Sequence, residues 1–170
     1  MAKMTIDAGQ DWIEKIRNLG RQTDAVCARA VQAGAGVVAD QIRKNLENLT
    51  EDSHRSPSHP EYYFLSENEK FTGIPPEQKK DLLDALGISP VKTSEDGTIA
   101  AKIGFEGYGS QPTEKYPRGI PNPMVARAVE SGNSFRPKQP FVRPAVNKAK
   151  NAALEAMETV IDQAIETIMK

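Results

Sequence analysis

The chain is short of several things. Among its 170 residues there is one cysteine, Cys27, so no disulfide can form within the chain. That fits a reducing compartment such as the cytosol. Formal net charge is −1, so no global electrostatic pull toward nucleic acid or anionic membrane is expected. No segment approaches the ~20 consecutive apolar residues that a membrane span needs, and the opening residues MAKMTIDAGQDW carry no apolar run of the signal-peptide type. Aromatics make up 6% of the residues and mean hydropathy is −0.54. That is a thin core for this length, which predicts apolar surface completed by neighbouring subunits. No internal repeat or low-complexity tract is visible, and 170 residues suit one domain.

Catalytic and cofactor signatures are also scarce. The two histidines, His54 and His59, share one Pro-broken polar stretch. Zinc needs three or four ligands in defined geometry; Asp52 and Glu61 are the nearby acids and no second cysteine exists. Loop histidines are the simpler reading. Gly104, Gly107 and Gly109 lack the Lys-Ser/Thr of a P-loop and the spacing and following helix of a dinucleotide fold. There is no Gly-x-Ser-x-Gly elbow. The carboxylates lie mostly on solvated helix faces. We therefore expect no catalytic residue, no cofactor and no metal. A rival of another class is a small metal-dependent hydrolase using His54, His59 and Glu130.

What is present is helix. Trp12, Ile13, Ile16 and Leu19 fall at helical spacing before Gly20, which is expected to end the run, with Thr23 or Asp24 capping the next helix. From 25 to 49 a stripe of Val31, Ala35, Val38, Ile42, Leu46 and Leu49 predicts a long helix. Its small residues Ala33, Gly34, Ala35 and Gly36 would let another element approach closely. Residues 142–169 repeat the pattern, with Val146, Ala149, Ala153, Met157, Val160, Ala164 and Ile168 widened by Leu154, Ile161 and Ile165. The α+β expectation is a small antiparallel sheet with long N- and C-terminal helices packed on one face. The sheet comes from 88–92 and 98–105, which alternate around an Asp96-Gly97 turn. A short helix or turn with Leu82, Leu83 and Leu86 precedes them. Residues 50–76 and 107–123 read as long irregular loops. The first carries Tyr62, Tyr63 and Phe64 as an aromatic anchor for a partner, on an arm that orders on contact.

The stretch 126–149, ARAVESGNSFRPKQPFVRPAVNKA, organises the rest. Residues 124–130 are strand or helix. Gly132 and Asn133 tolerate positive φ, so the chain can reverse there. Pro137 and Pro140 hold the next residues extended. Phe141 and Val142 then leave at a fixed point, and Pro144 suits the first turn of a helix. Glu130 is expected to accept backbone N–H groups of this loop, or to pair with Arg143. Arg136, Lys138, Arg143, Lys148 and Lys150 form a basic patch, read as a solvated rim, with duplex DNA as the alternative ligand.

The order Val129, Glu130, Gly132, then Gln139, Pro140, Phe141, Arg143, Pro144, Ala145 resembles a family of small morphogenesis proteins of long-tailed bacteriophages. These are the tail-component or head–tail joining (neck) proteins, whose signature is similar to Val-Glu-Phe-Gly-Thr followed by Pro-Phe-Leu-Arg-Pro-Ala and a C-terminal helix. Ser131 and Asn133 depart from it, and the Thr-Gly and Leu usual before the strands are only loosely echoed by Thr72, Gly73 and Leu83 or Leu86. The layout covers most of the chain. The resemblance implies a virion protein at the neck or tail top, formed in the host cytoplasm, that assembles with itself as a ring and contacts head connector or adaptor and tail tube or tail terminator proteins. DNA would pass through the lumen. A tail terminator is the alternative within this class. Interface residues implied are Glu130, Gly132, Pro140, Phe141, Arg143, Pro144, Tyr62, Tyr63 and Phe64.

Overall fold

In the computed structural model, residues 9–52, 72–134 and 136–170 are described. His54, His59, Tyr62, Tyr63 and Phe64 lie outside them, so the metal-site and aromatic-anchor expectations fall there too. The fold is α+β. Two long helices, α1 (Gln10–Glu47) and α4 (Val142–Met169), run antiparallel, and around one end of the pair gather α2 (Pro76–Ala85), α3 (Asn122–Ser131) and four short strands. The pairing direction follows from contacts at three levels. Lys15 Nζ donates to the Lys170 carbonyl at 3.4 Å, Gly34 faces Met157, and Asn45 Nδ2 donates to the Phe141 carbonyl at 3.0 Å.

Helix α1 is one element, not two. Gly20 does not end it, and Thr23 caps nothing: its Oγ1 donates back to the Leu19 carbonyl at 2.9 Å inside the helix. A helical glycine costs about 1 kcal/mol. The turns that follow offset that by burying Val26, Ala30 and Ala39. Where the helices meet, Gly34 is the reason they can. A Cβ there would stand 2.8 Å from Met157 Cγ and Sδ and 3.3 Å from the Ala153 carbonyl oxygen. The facing side of α4 is correspondingly small, with Ala145, Ala149, Ala153 and Ala164 buried.

The expected hairpin is present but broken. Strand β1 (Leu86–Ile88) pairs antiparallel with β4 (Ile103–Phe105), and β2 (Lys92–Thr93) with β3 (Ile99–Ala100). Between the two pieces lies Pro90, which has no N–H for the ladder. Ser89 bridges the gap: its N–H donates to the Lys102 carbonyl at 2.8 Å, and its hydroxyl accepts the Lys102 N–H at 2.9 Å. Gly97 closes the turn at φ +80°, and Asp96 Oδ1 accepts the Thr98 N–H. Strands β1 and β3 pack against α1 and β4 against α2 and α3, while α4 lies along α1 and reaches β4 through Phe141.

One apolar cluster joins these parts. Ile42, Leu46, Ile74, Leu82, Leu86, Val125, Val129, Phe141 and Ala145 are buried together, with Ile103 and Phe105 packed against them. All of it sits at the α2–α3–strand end. Among the described residues, the other half of the α1–α4 pair is two helices thick. Among the described residues no helix is long and apolar enough to cross a membrane.

Candidate functional site

The reversal from α3 to α4 is built by three devices. Residues 124–130, left open between strand and helix, are helical: Pro121 precedes Asn122, and Pro123 sits in the first turn, where a missing N–H costs nothing. At its end Gly132 takes φ +73°, its N–H donating to the Ala128 carbonyl at 2.9 Å. Asn133 does not share this conformation, since among the described residues positive φ is confined to glycine. The returning chain then passes close by. The Gln139 N–H donates to the Val129 carbonyl at 2.9 Å, and a Cβ on Gly132 would meet Lys138 N at 2.9 Å. Gly132→Ala therefore combines an unfavourable φ with a backbone clash. It should cost about 1–3 kcal/mol by urea unfolding; a change below a few tenths would contradict the stated geometry.

The second device is Glu130. Its Oε2 accepts the N–H groups of Phe141 at 2.7 Å and Val142 at 2.8 Å, and its Oε1 accepts that of Arg143 at 3.0 Å. Helix α4 has no side-chain cap of its own. A helix N-terminus leaves its first N–H groups without partners and favours negative charge. Here a carboxylate from the preceding helix supplies both needs, and Pro144 at the third position has no N–H to satisfy. Burial pushes the Glu130 carboxyl up. The N–H groups of Val142, Phe141 and Arg143, with the Arg143 charge, outweigh it and hold it below the ordinary 4.5. Of the two roles expected for Glu130, the backbone one is what the geometry displays. Both oxygens are engaged by donors, which leaves this carboxylate ill-placed as a general base or metal ligand.

The third device was not legible in the sequence. Arg136, counted there with the basic patch, is buried at 7% exposure. Its Nη2 donates to Gln78 Oε1 on α2 at 2.6 Å. Burial lowers its pKa to about 10, with Asp52 opposing the shift, so it stays charged at neutral pH. Asp52 in turn accepts the Thr72 N–H at 2.6 Å and the Thr72 hydroxyl at 3.1 Å. A short parallel bridge, Asp52 N–H to Ile74 carbonyl and Ile74 N–H to Thr50 carbonyl, both 2.9 Å, brings 50–52 beside 72–74. Gly73 is required there, since a Cβ would overlap the Thr50 carbonyl oxygen. The α3–α4 turn and the two ends of the segment between residues 52 and 72 thus form one polar junction. No sequence signal marks it, because its members lie far apart in the chain: Gln78 is 58 residues from Arg136, and Asp52 is farther still.

Phe141, expected at an interface, is 0% exposed. Its ring meets Phe105 edge-on, centroids 5.9 Å apart at 65°. It presents no surface, so it acts on any partner through the turn that it anchors. Pro140, Arg143 and Pro144 are exposed, while Glu130 and Gly132 are half-buried. Lys138, Arg143, Lys148 and Lys150 remain as the exposed basic residues.

Residues 107–123 are surface loop up to Pro121, after which α3 begins. The loop is closed at its base. Gly109 N–H donates to the Ile120 carbonyl at 2.8 Å, Asn122 N–H to the Gly107 carbonyl at 3.0 Å, and Asp81 Oδ2 accepts the Ser110 N–H at 2.7 Å. Above the base, Arg118 lies 5.0 Å from the Tyr108 ring centre and Lys115 5.6 Å from that of Tyr116. Tyr108 and Met124 are about half exposed. This is a held aromatic and basic tip, suited to contact rather than catalysis. Compared with protein families, curated proteins and solved structures, the chain matches none.

Proposed function

We propose that the chain is a structural protein of a long-tailed bacteriophage particle, a neck or tail-completion protein at the head–tail junction or tail top. Identical subunits form a ring that joins the head connector to the tail, and DNA passes through the lumen. The activity is binding. The observation that supports this reading is the α3–α4 turn. The residues that carry the resemblance fold into one lock: Glu130 caps α4, Gly132 turns the chain, Gln139 ties it back to Val129, and Phe141 and Ala145 enter the core. The lock leaves Pro140, Arg143 and Pro144 outward and is joined through Arg136 and Asp52 to the ends of the aromatic-bearing segment. A rigid support with contact loops around it suits a joint between larger parts. A tail terminator is the alternative in the same class.

Depleting the protein from an assembling phage separates these readings. We expect filled heads and finished tails to accumulate unjoined, and purified protein to join them. Tails of uncontrolled length would indicate a terminator. Fully joined particles in its absence would overturn the proposal.

A further inference from the structure

The half of the α1–α4 pair away from the core carries two apolar patches, one on each helix. Helix α1 spans 38 residues and α4 28, or about 57 Å and about 42 Å at the helical rise. Because α4 ends level with Lys15, the first turns of α1 run past it. Trp12 and Ile16 stay 55% and 59% exposed there, and Ile13 is exposed beside them. On α4 the apolar arc is wider than the strip that α1 covers. Leu154 is 54% exposed, with Ile165 on the same side.

The charges bordering the patches are opposite. On α1, Arg17 and Arg21 continue the row begun by Ile13 at four-residue steps, and no acid falls between Glu14 and Asp24. On α4, Glu158 and Asp162 continue the row begun by Leu154 in the same steps, and no basic residue falls between Lys150 and Lys170. Each row reads apolar, charged, charged, with signs reversed. All four charged side chains are exposed. Residues four apart share a helix face, so the two rows can be laid against each other with apolar on apolar and Arg on carboxylate.

We propose that the α1 patch of one copy docks on the α4 patch of the next. Because α1 and α4 run antiparallel within a chain while the matched rows run parallel, the second copy is turned by about 180°, so the contact is made twice, reciprocally, across a two-fold axis and closes a pair. The choice of a second copy rests on the complementary rows, and this pairing is separate from the ring proposed above.

Light scattering and native mass measurement on the full chain test it. The wild type should form a discrete dimer. Arg17→Glu with Arg21→Glu, and separately Glu158→Arg with Asp162→Arg, should each raise the dissociation constant about a hundredfold while leaving helicity unchanged. Mixing the two double variants should restore pairing, since both contacts of the mixed pair again join opposite charges, and so should all four changes in one chain. An oligomer indifferent to both swaps, or one not restored by mixing, overturns this surface and leaves the ring reading standing. A wild-type chain that remains monomeric at every concentration, as it would if its own residues covered both patches, removes the surface and self-assembly together.

Discussion

Replacing Phe141 by alanine is expected to destabilise the fold by about 3–5 kcal/mol, the range for a large aromatic lost from a closed core. Three features place it there. The ring has no exposed surface and contacts Phe105 on β4 in the edge-on geometry that aromatic pairs favour. Its backbone is held on both sides, the N–H by Glu130 and the carbonyl by Asn45 of α1. The surroundings therefore cannot follow the missing side chain inward, and a cavity remains. At roughly 2–4 °C per kcal/mol for a chain of this size, the melting temperature should fall by about 6–20 °C. Phe141→Leu, which keeps most of the volume, should lose far less. Calorimetry of both variants checks this, and equal small losses would mean that the ring is not seated as described.

Glu130→Ala is the second large effect, about 2–4 kcal/mol, because it leaves the Phe141, Val142 and Arg143 N–H groups without their shared charged acceptor at the start of α4. Its signature is pH dependence. The folded carboxyl titrates below the ordinary 4.5, so the folded state gives up this proton more readily than the unfolded chain. The stabilisation is complete above that ordinary value and is lost as pH falls through the lower folded value. The stability gap between wild type and Glu130→Gln should then be constant from about pH 7 to about pH 5 and narrow below. Urea titrations at several pH values measure it. A gap unchanged into the acid range would mean that the charge contributes nothing and that only shape matters.

These two side chains differ in how readable they were. Glu130 could be assigned a backbone-bonding role because it sits two residues before a chain-reversing glycine, and a carboxylate there faces returning N–H groups whatever the wider fold. Phe141 looked like a contact residue because an apolar group between prolines at the mouth of a helix resembles an exposed anchor. What buried it was the convergence of α1, β4 and α3, which pattern does not encode. Arg136 failed in the same way. A basic residue among other basic residues reads as solvated rim, yet Gln78 and Asp52 draw it under the surface.

By itself the sequence determined the amphipathic stripes of α1 and α4, the hairpin centred on Gly97, the reversal at Gly132 and the helix start around Pro144. Each depends on neighbours within a few residues, where φ limits, missing N–H groups and side-chain period act directly. Tertiary structure decided that α1 runs unbroken through Gly20, that Pro90 divides the hairpin into two ladders, and that α4 packs along α1 at Gly34. It also decided which apolar residues stay uncovered. Local cost at a glycine or proline is about 1–3 kcal/mol, an amount that burial elsewhere in the same element can outweigh. Which side of an over-wide apolar stripe finds a partner depends on residues more than a hundred positions away.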